Sequence, residues 1–539
     1  MTGNRTDRAA AWAALGLCVL FFLSGLAVLP YPGIQNDEAL YATSIYHPEY
    51  NAHPLVAFKQ RIALMSMSYV GSLKGWIYAA VLRFWTPSAY SIRIPSLLGG
   101  TAAVWLFFLL LRRLGGTRVA VAGTALLAAD TCFLLTTCFD WGPVVLQHLF
   151  LVAGMLSLVR FHQDRAPAAL LPGFIFFGLA LWDKALFGWS LVGLAAASAC
   201  VFPRLLFRYL KWRNLVLAAV GFGIGAFPLI LWNARSNMAT LRDNASWSAQ
   251  GALDKFVIVT STADGSGLFG YISNADTAPR PREPRTALER LSVAVNGAAG
   301  RPHHSLYPLV YIAALVLLPF LWSSPARDPM LFALVFTAVT WLQMAFTQNA
   351  GGSVHHAVLL WPIPTLFAAF GLGEFSRKLK RLGKPLLAAA VAVVALSGLL
   401  VTNQYCAYLI RNGAAIVWTD AMYPLSEYLR GVRAKLIFVT DWGMMDALTL
   451  LHRGALPLRE GSGPLHTGQP TAQDLAALEE MIGDPAHVLI SHVDGYEVFV
   501  GLNARLRAYS EKAGYRRETL RVVHDSNGRP TFEVFRFTR

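Results

Sequence analysis

Charged side chains are scarce in this chain of 539 residues. Only 14% of the residues are charged and 55% are hydrophobic, whereas soluble globular proteins carry roughly 25% charged residues. The scarcity of charge excludes an ordinary soluble enzyme, and the high hydrophobic content excludes a disordered chain. The length allows several domains, but the composition predicts that much of the chain lies in a lipid bilayer.

Cysteine pairs and dense metal-ligand motifs are also missing from the sequence. The five cysteines include no C-x-x-C pair, and four of them lie in apolar runs. The pattern therefore predicts neither a disulfide framework nor a cysteine metal site. No H-E-x-x-H motif occurs either, so no ligand spacing indicates a metal site. A divalent metal ion is the one cofactor that the sequence leaves open.

Positive charge exceeds negative charge, with 46 Lys and Arg against 31 Asp and Glu and a formal net charge of +15. A basic balance is one indicator of nucleic-acid binding, but here most cations fall in short loops between long apolar runs. Such a distribution encodes the orientation of membrane proteins, since Lys and Arg concentrate in cytoplasmic loops. We therefore expect membrane lipids, and no nucleic acid, among the partners of this chain.

Eleven apolar segments have about the length that a membrane-spanning helix needs. They are 9–30, 94–111, 119–139, 143–159, 166–182, 185–203, 214–234, 305–323, 329–346, 353–373 and 385–404. With a cytoplasmic N-terminus, Lys184 is the single basic residue in the short outer loops. The sequence thus predicts a mainly α, polytopic protein with about eleven transmembrane helices, the first of which is retained rather than cleaved as a leader.

Three long polar regions all fall on the predicted outer side. Residues 31–93 are expected to form an outer loop with interfacial helices, since the stretch Trp76–Trp85 is apolar but too short to span. Residues 235–304 form a second outer loop. The division is therefore a transmembrane module over 1–404 and a periplasmic α/β domain, hereafter the tail, over 405–539.

The tail alternates strand-like and helix-like patterns. Strands are predicted over Lys435–Thr440, Ala486–Ser491, Leu520–His524 and Thr531–Phe537, and helices over Ala472–Ile482 and Asn503–Ala513. The last two strands flank Asn527-Gly528, which is a hairpin turn signal. The tail shows no Gly-rich phosphate loop, so its pattern alone assigns no chemistry.

The acidic pair Asp37-Glu38 follows closely after the first apolar segment. Two adjacent carboxylates at a membrane boundary are costly to bury without a partner. The position fits a functional pair of carboxylates, and it equally fits a solvated pair that begins a helix, since Asp and Asn are good N-caps. The residues that follow, 39–42, predict an amphipathic helix that lies close to the membrane.

Four further polar residues fall on the same predicted membrane face. Asp140 follows the third apolar segment, where it is either functional or a turn residue ahead of Pro143. Lys184 breaks a long apolar stretch, either to bind phosphate as a point charge or to snorkel to the lipid headgroups. His355 and His356 begin the tenth segment, either as phosphate donors or proton shuttles or as a polar helix start. Adjacent helical side chains point about 100° apart, so we do not expect both histidines to serve one site.

Five short motifs occur in a fixed order within residues 10–405. They are Asn36–Ala42, Arg93–Gly99, Arg112–Gly116, Leu179–Lys184 and His355–Pro362. Together they resemble the "DEA-x-Y-A", "R-x-P-S-x-x-x-G", arginine-rich turn, "L-A-x-x-x-K-G" and "H-Y-x-L-P" motifs of polytopic GT-C glycosyltransferases. More narrowly, the chain resembles the family of the protein O-mannosyltransferases and the lipid A aminoarabinose transferase. It departs from that family at Ala185, where glycine is usual, and it lacks a clear "K-P-P-L-Y" stretch in the first outer loop.

The resemblance implies an enzyme whose sugar donor is carried on a polyprenyl phosphate. It implies transfer of the sugar at the outer face of the membrane, with inversion at the anomeric carbon. Asp37 would be the general base, because an acceptor hydroxyl needs a proton acceptor within hydrogen-bond reach. Glu38 and Asp140 would position the acceptor, the donor or a divalent ion.

The resemblance also implies cations around the leaving lipid phosphate. Lys184 and a histidine of the His355-His356 pair are the candidates. Three cations of the first outer loop compete for a further phosphate contact: Lys59, Arg61 and Lys74.

Two other functions fit a polytopic chain, namely a transporter and a non-catalytic envelope assembly protein with the tail as its binding module. A transporter needs polar groups near the membrane midplane and helix breaks in paired halves. The candidate residues lie at one face instead, and the sequence contains no internal repeat. The Ala and Arg content and the short loops favour a bacterial inner membrane. The sequence leaves open which sugar is moved and whether the acceptor is a protein, a lipid or a glycan.

Overall fold

The computed structural model describes residues 2–57, 59–274, 278 and 280–539. Helices dominate the chain up to Asn412, and a small mixed sheet lies in the remainder. The predicted fold class is therefore confirmed as a mainly α protein with apolar helices and a C-terminal α/β domain. The last helix before the tail runs eight residues beyond the predicted module boundary at 404.

The helices up to the tail follow one another with short connections, apart from the outer loops. They are α1 (Thr2–Val28), α2 (Asn36–Ala39), α3 (Ala42–Tyr46), α4 (Leu73–Phe84), α5 (Ala89–Ala128), α6 (Thr131–Phe139), α7 (Val145–Gln163), α8 (Leu170–Asp183), α9 (Phe187–Val201), α10 (Pro203–Tyr209), α11 (Trp212–Arg235), α12 (Ala239–Asn244), α13 (Ala252–Asp264), α14 (Ala287–Ala298), α15 (Tyr307–Leu317), α16 (Arg327–Phe346), α17 (Val354–Ala357), α18 (Ile363–Lys378) and α19 (Lys380–Asn412).

Within the described residues, six of these helices are long and apolar enough to cross a membrane: α1, α5, α7, α11, α16 and α19. Two bent helix pairs, Phe187–Val201 with Pro203–Tyr209 and Val354–Leu360 with Ile363–Lys378, raise the number to eight if each pair is one span. The chain is thus a multi-pass membrane protein. The predicted count of eleven stays a prediction, because two further apolar helices are shorter than a span.

The structure breaks the predicted third segment, 119–139, into two helices. α5 runs on from the second segment through a kink at Gly116, whose φ of 75° and ψ of −176° are not helical. α6 then begins after Asp130, whose carboxylate caps it by accepting the N–H of Phe133 at 2.8 Å. The other carboxylate oxygen accepts the indole N–H of Trp361 at 2.8 Å. Hydropathy alone does not detect the break, because Asp130 is one polar residue in an apolar run.

The first outer loop contains α2, α3, a hairpin of β1 (Leu55–Ala57) and β2 (Gln60–Ile62), and α4. α4 covers most of the apolar stretch in which a helix is predicted. It exposes Trp76, Ile77 and Phe84, as a helix lying in the membrane interface would. Its placement in the interface stays a prediction.

The tail is a five-stranded mixed sheet with helices on both faces. Its elements are α20 (Met422–Arg430), β3 (Ile437–Val439), α21 (Met445–Leu451), β4 (Leu458–Glu460), α22 (Ala472–Gly483), β5 (Val488–His492), α23 (Leu502–Lys512), β6 (Arg516–His524) and β7 (Pro530–Thr538). The strand order is β4-β3-β5-β7-β6, with β4, β3 and β5 parallel and the pairs β5–β7 and β7–β6 antiparallel. The four predicted strands and the hairpin are confirmed, whereas β4 and α21 are not predicted by the sequence.

The tail and the first outer loop share one hydrophobic core. Ile34 and Tyr41 of the loop pack in a cluster with Leu448 of α21. At Gly33 the two parts approach so closely that a Cβ atom would lie 1.9 Å from the Thr419 carbonyl oxygen. The tail therefore rests directly on the segment that carries the acidic pair.

Candidate active site

Asp37 lies in the first turn of α2. The Gln35 side chain caps this helix, because its Oε1 accepts the backbone N–H of Asp37 at 2.6 Å and of Glu38 at 3.2 Å. The Asp37 side chain is partly buried, and its Oδ2 accepts the indole N–H of Trp141 at 3.3 Å. Burial raises the pKa of Asp37, while Trp141 and the charge of Lys184 oppose the shift. A carboxylate with a raised pKa is better suited to accept a proton near neutral pH.

Glu38 is held in a buried ion pair with Arg93. Its Oε1 and Oε2 accept Arg93 Nε and Nη2 at 2.6 and 2.8 Å, and both side chains are almost fully buried. The guanidinium also donates to the carbonyls of Leu29, Pro32 and Gly33 at 2.7 to 2.9 Å. Arg93 therefore joins the segment after α1 to α2 through its ion pair with Glu38.

Asp140 follows α6 in a left-handed conformation, with φ of 43° and ψ of 44°. Its Oδ1 accepts the backbone N–H groups of Val144 and Val145, each at 2.9 Å. Its Oδ2 lies 2.8 Å from Lys74 Nζ. Burial raises the pKa of Asp140, but Lys74 and the two backbone donors outweigh burial, so that the pKa lies below its ordinary value. Asp140 is thus both the predicted turn residue and a member of a charged cluster.

Lys74 of α4 joins the acidic pair to Asp140. Its Nζ donates to the Glu38 carbonyl oxygen at 3.2 Å. The ammonium lies 4.9 and 5.5 Å from the ring centroids of Tyr41 and Tyr78, a distance at which ring faces attract cations. Among the three competing cations of the first outer loop, Lys74 is the one that the structure brings to the acidic cluster.

Lys59 and Arg61 lie elsewhere, on the β1–β2 hairpin. Their side chains are exposed, and Lys59 occupies the turn with φ of 62°. In the part of the chain that the structure describes, neither side chain forms an ion pair with the acidic cluster. A contact of these two residues with substrate stays a prediction.

Lys184 follows α8, where it forms an antiparallel bridge with Val70 of the first outer loop. Its Nζ donates to the Gly142 carbonyl oxygen. The side chain is 1% exposed, so the alternative that it snorkels to the headgroups is wrong. Burial lowers the pKa of Lys184 to about 8, and neighbouring carboxylates, Asp37 first, oppose the shift. The lysine therefore remains mostly charged at neutral pH.

His355 and His356 lie side by side at the start of α17. Their ring centroids are 4.1 Å apart, and the hydroxyl oxygen of Ser353 lies 3.1 and 3.0 Å from their Nδ1 atoms. The two rings lie close together, contrary to the expectation from helical geometry, and both lie within hydrogen-bond distance of the Ser353 hydroxyl. The His355 ring also packs on Trp141, with centroids 4.2 Å apart. His355 thus adjoins the indole that binds Asp37, and His356 lies beside His355.

The described residues contain no group of three or more His, Cys, Asp or Glu side chains placed to hold a metal ion. Asp140 and Glu38 are instead neutralised by Lys74 and Arg93. The site therefore has no ordinary set of metal ligands, and a divalent ion as cofactor stays a prediction.

Sequence reasoning missed three residues at this site. Arg93 belongs to the motif Arg93–Gly99, but it was not predicted as a site residue. It could have been found as a cation at the start of an apolar segment, because a buried cation needs a partner. Trp141 adjoins Asp140 and carries no signal beyond that proximity. Asp446 of α21 binds the side chains of Asn36 and Thr43, and no sequence pattern connects positions 410 residues apart.

A family comparison covers part of this site. Residues 72–232 match the family described as dolichyl-phosphate-mannose-protein mannosyltransferase. The matched segment includes Lys74, Asp140 and Lys184, and it spans α4 to α11. No curated protein sequence matches the chain.

Two solved structures are similar to the chain over almost its whole length. ArnT from Cupriavidus metallidurans, bound to undecaprenyl phosphate, has a TM-score of 0.54 and 14% identity, and the match covers 97% of this chain and 97% of that chain. ArnT from the same organism in the apo state has a TM-score of 0.50 and 13% identity, with 99% and 98% covered. This chain therefore has the fold of a GT-C glycosyltransferase, and the resemblance identified from its motifs is confirmed.

Proposed function

We propose that this chain is a glycosyltransferase that moves a hexosyl or pentosyl group from a polyprenyl-phosphate donor to an acceptor at the outer face of the membrane. The GT-C fold and the matched family segment support this proposal. The observation that carries it is the placement of Asp37, whose pKa is raised, near the buried cation Lys184. A proton acceptor beside a cation is what transfer from a phosphate leaving group requires.

The class of donor is proposed from the similar structure that binds undecaprenyl phosphate. A polyprenyl chain lies in the bilayer, so its phosphate meets the protein at the membrane surface. The charged cluster lies at one end of the apolar helices, where such a headgroup would arrive. This placement favours an enzyme over a transporter, whose polar groups would lie near the membrane midplane.

In the proposed reaction, Asp37 accepts the proton of the acceptor hydroxyl as the hydroxyl oxygen attacks the anomeric carbon. The bond from the anomeric carbon to the phosphate oxygen breaks, and polyprenyl phosphate leaves with the bonding electrons. Attack from the side opposite the leaving group inverts the configuration at the anomeric carbon. The Trp141 indole holds Oδ2 of Asp37, which leaves Oδ1 for the acceptor.

A cation and hydrogen-bond donors stabilise the phosphate as its charge develops. Lys184 is proposed as the cation and the His355-His356 pair as the donors, because Lys184 reaches the Gly142 carbonyl oxygen and His355 packs on Trp141 next to Asp37. Lys74 and Asp140 form a buried pair that holds α4 against the start of α7 and so positions the donor pocket.

Orientation follows from the distribution of cations along the sequence. We place the N-terminus in the cytoplasm and the tail in the periplasm of a bacterial inner membrane. The acceptor is a protein, a lipid or a glycan on that outer side.

The test uses membrane vesicles from cells that express the protein, which supply endogenous acceptors. The probes are undecaprenyl phosphates that carry tritiated mannose, glucose, galactose or arabinose. We expect Asp37→Asn to reduce transfer at least about 100-fold, since general-base catalysis contributes at least that much. Glu49→Gln, an exposed carboxylate of the same loop, is the matched control and should transfer as wild type does. Equal transfer by wild type and Asp37→Asn would remove Asp37 from the chemistry, and no transfer by wild type from any probe would refute the proposed donors.

A further inference from the structure

Two reciprocal hydrogen bonds between Asn36 and Asp446 join the tail to the candidate active site. Asn36 Nδ2 donates to Asp446 Oδ2 at 3.1 Å, and the Asp446 backbone N–H donates to Asn36 Oδ1 at 3.0 Å. Thr43 Oγ1 donates to Asp446 Oδ1 at 2.9 Å. One carboxylate of α21 therefore ties α2 and α3 to the tail.

The element held in this way cannot keep its geometry alone. α2 is four residues long, from Asn36 to Ala39, and a helix of one turn is unstable in isolation. Its conformation must come from its neighbours. Arg93 holds it from the membrane side through Glu38, and Asp446 holds it from the tail side through the residue directly before Asp37.

We propose that Asp446 is a positioning residue for the transfer reaction, so that the tail completes the active site by fixing the orientation of Asp37. The kinetic part of this inference rests on the proposed function, whereas the structural part rests on the contacts alone. A tail that served only as an independent binding module would leave α2 unchanged when the contact is removed.

The charge of Asp37 also acts on Asp446. Burial raises the pKa of Asp446 to about 7, hydrogen bonds from Thr43 and Asn36 oppose the shift, and the charge of Asp37 adds to it. Asp446 therefore takes up a proton more readily than an exposed aspartate does, and its hydrogen bonds carry the inference.

Two substitutions separate the shape of this contact from its charge. Asp446→Ala removes the hydrogen bonds to α2 and α3, whereas Asp446→Asn keeps the size of the side chain and removes the charge. Leu489→Ala is the matched control, because Leu489 lies in the tail core on the other face of the sheet. It weakens the tail without touching Asn36.

We expect Asp446→Ala to lower kcat at least about tenfold while KM changes less than about twofold, since a small misplacement of a catalytic group costs turnover more than binding. Leu489→Ala should keep the wild-type kcat below its own unfolding temperature. Asp446→Asn should keep kcat within a few-fold, because the amide keeps the size of the side chain and an oxygen that can accept from Asn36. Equal losses of kcat in Asp446→Ala and Leu489→Ala, or a loss in Asp446→Asn as large as that in Asp446→Ala, would overturn the inference.

A second measurement does not depend on sugar transfer. Hydrogen exchange of the amides in residues 35–41, followed by mass spectrometry on the full-length protein, should accelerate in Asp446→Ala and stay at the wild-type rate in Leu489→Ala. Unchanged exchange in Asp446→Ala would refute the contact even if wild type transfers sugar. Accelerated exchange in a protein whose wild type transfers no sugar would instead refute the proposed function and leave the contact standing.

Discussion

At the scale of single residues, the charged groups of the site divide into two kinds. Glu38 and Asp140 are each neutralised by a buried cation. Asp37 is bound instead by a neutral indole, and Lys184 by a carbonyl oxygen. Within the described residues neither Asp37 nor Lys184 is held in an ion pair, so their charges are available to a substrate, and they are the residues on which we centre the chemistry.

The two groups predict a bell-shaped dependence of kcat/KM on pH. Burial raises the pKa of Asp37 above its ordinary value of 3.8, so activity should fall as pH decreases through this raised pKa. Burial lowers the pKa of Lys184 to about 8, so activity should also fall as pH increases through about 8.

Lys184→Arg tests the alkaline limb, because an arginine keeps its proton throughout this range. The alkaline limb should move to higher pH in this variant while the acid limb stays in place. An alkaline limb that remains near pH 8 would assign that titration to another group.

The Glu38–Arg93 pair is predicted to stabilise the fold strongly. Glu38→Ala leaves the Arg93 charge buried without its partner, which should lower the free energy of unfolding by about 3–5 kcal/mol. Asp164→Asn is the control, since Asp164 pairs with Arg113 at 2.9 Å with side chains that are 41% and 33% exposed. That change should have little effect on stability, because exposed ion pairs contribute little to it. Thermal unfolding in one detergent compares the two variants, and equal losses would contradict the structural role of Glu38.

At the scale of the elements, the connection between α6 and α7 brings three parts of the site together. Asp140, Trp141 and Gly142 contact α4, α2 and α17 in turn. Gly142 has φ of 68°, a conformation that only glycine adopts freely. This short loop can make all three contacts because Gly142 has no side chain.

We therefore expect Gly142→Ala to impair the site. Its Cβ atom would lie 2.5 Å from His355 Cδ2, and the left-handed backbone would add strain of about 1–3 kcal/mol. Transfer activity and thermal stability should both fall. Gly188→Ala is the control, because a Cβ atom there meets no heavy atom within 4 Å and alanine favours the helical backbone. Unchanged activity in Gly142→Ala would show that the His355 ring moves aside without consequence.

Elements with a strong periodic pattern were predictable, and elements without one were not. Strands β3 and β5 are buried along their length and read as apolar runs in the sequence. β4 has three residues, two of them exposed, so it carries no alternation or apolar run. The break between α5 and α6 was missed because a single capping residue, Asp130, sets it.

At the scale of the whole molecule, the tail is predicted to lie on the same side of the membrane as the acidic cluster. The shared core of the tail and the first outer loop requires this. The prediction that this side is the outer face of the membrane is based on the distribution of Lys and Arg among the short loops.

Single cysteines test this orientation in a Cys200→Ala background, which removes the exposed native thiol. A membrane-impermeant maleimide should label Glu511→Cys in the tail of intact cells. It should label Arg381→Cys, in the first turn of α19, only after the membrane is permeabilised. Both positions are exposed in the structure. Labelling of Arg381→Cys in intact cells, with Glu511→Cys labelled only after permeabilisation, would show that the predicted topology is inverted.

The sequence by itself determined the membrane class and the α/β pattern of the tail, and it indicated most residues of the candidate site. Hydropathy, cation placement and ordered motifs are local properties of the chain, and each can be recognised within a few tens of residues. Only the tertiary structure decided which cation meets which carboxylate: Lys74, and neither Lys59 nor Arg61, pairs with Asp140. Only the tertiary structure brought Asp446 to Asn36 across 410 positions. The physical reason is that ion pairs and side-chain hydrogen bonds act over a few ångströms in space, and a sequence does not record which distant segments come that close.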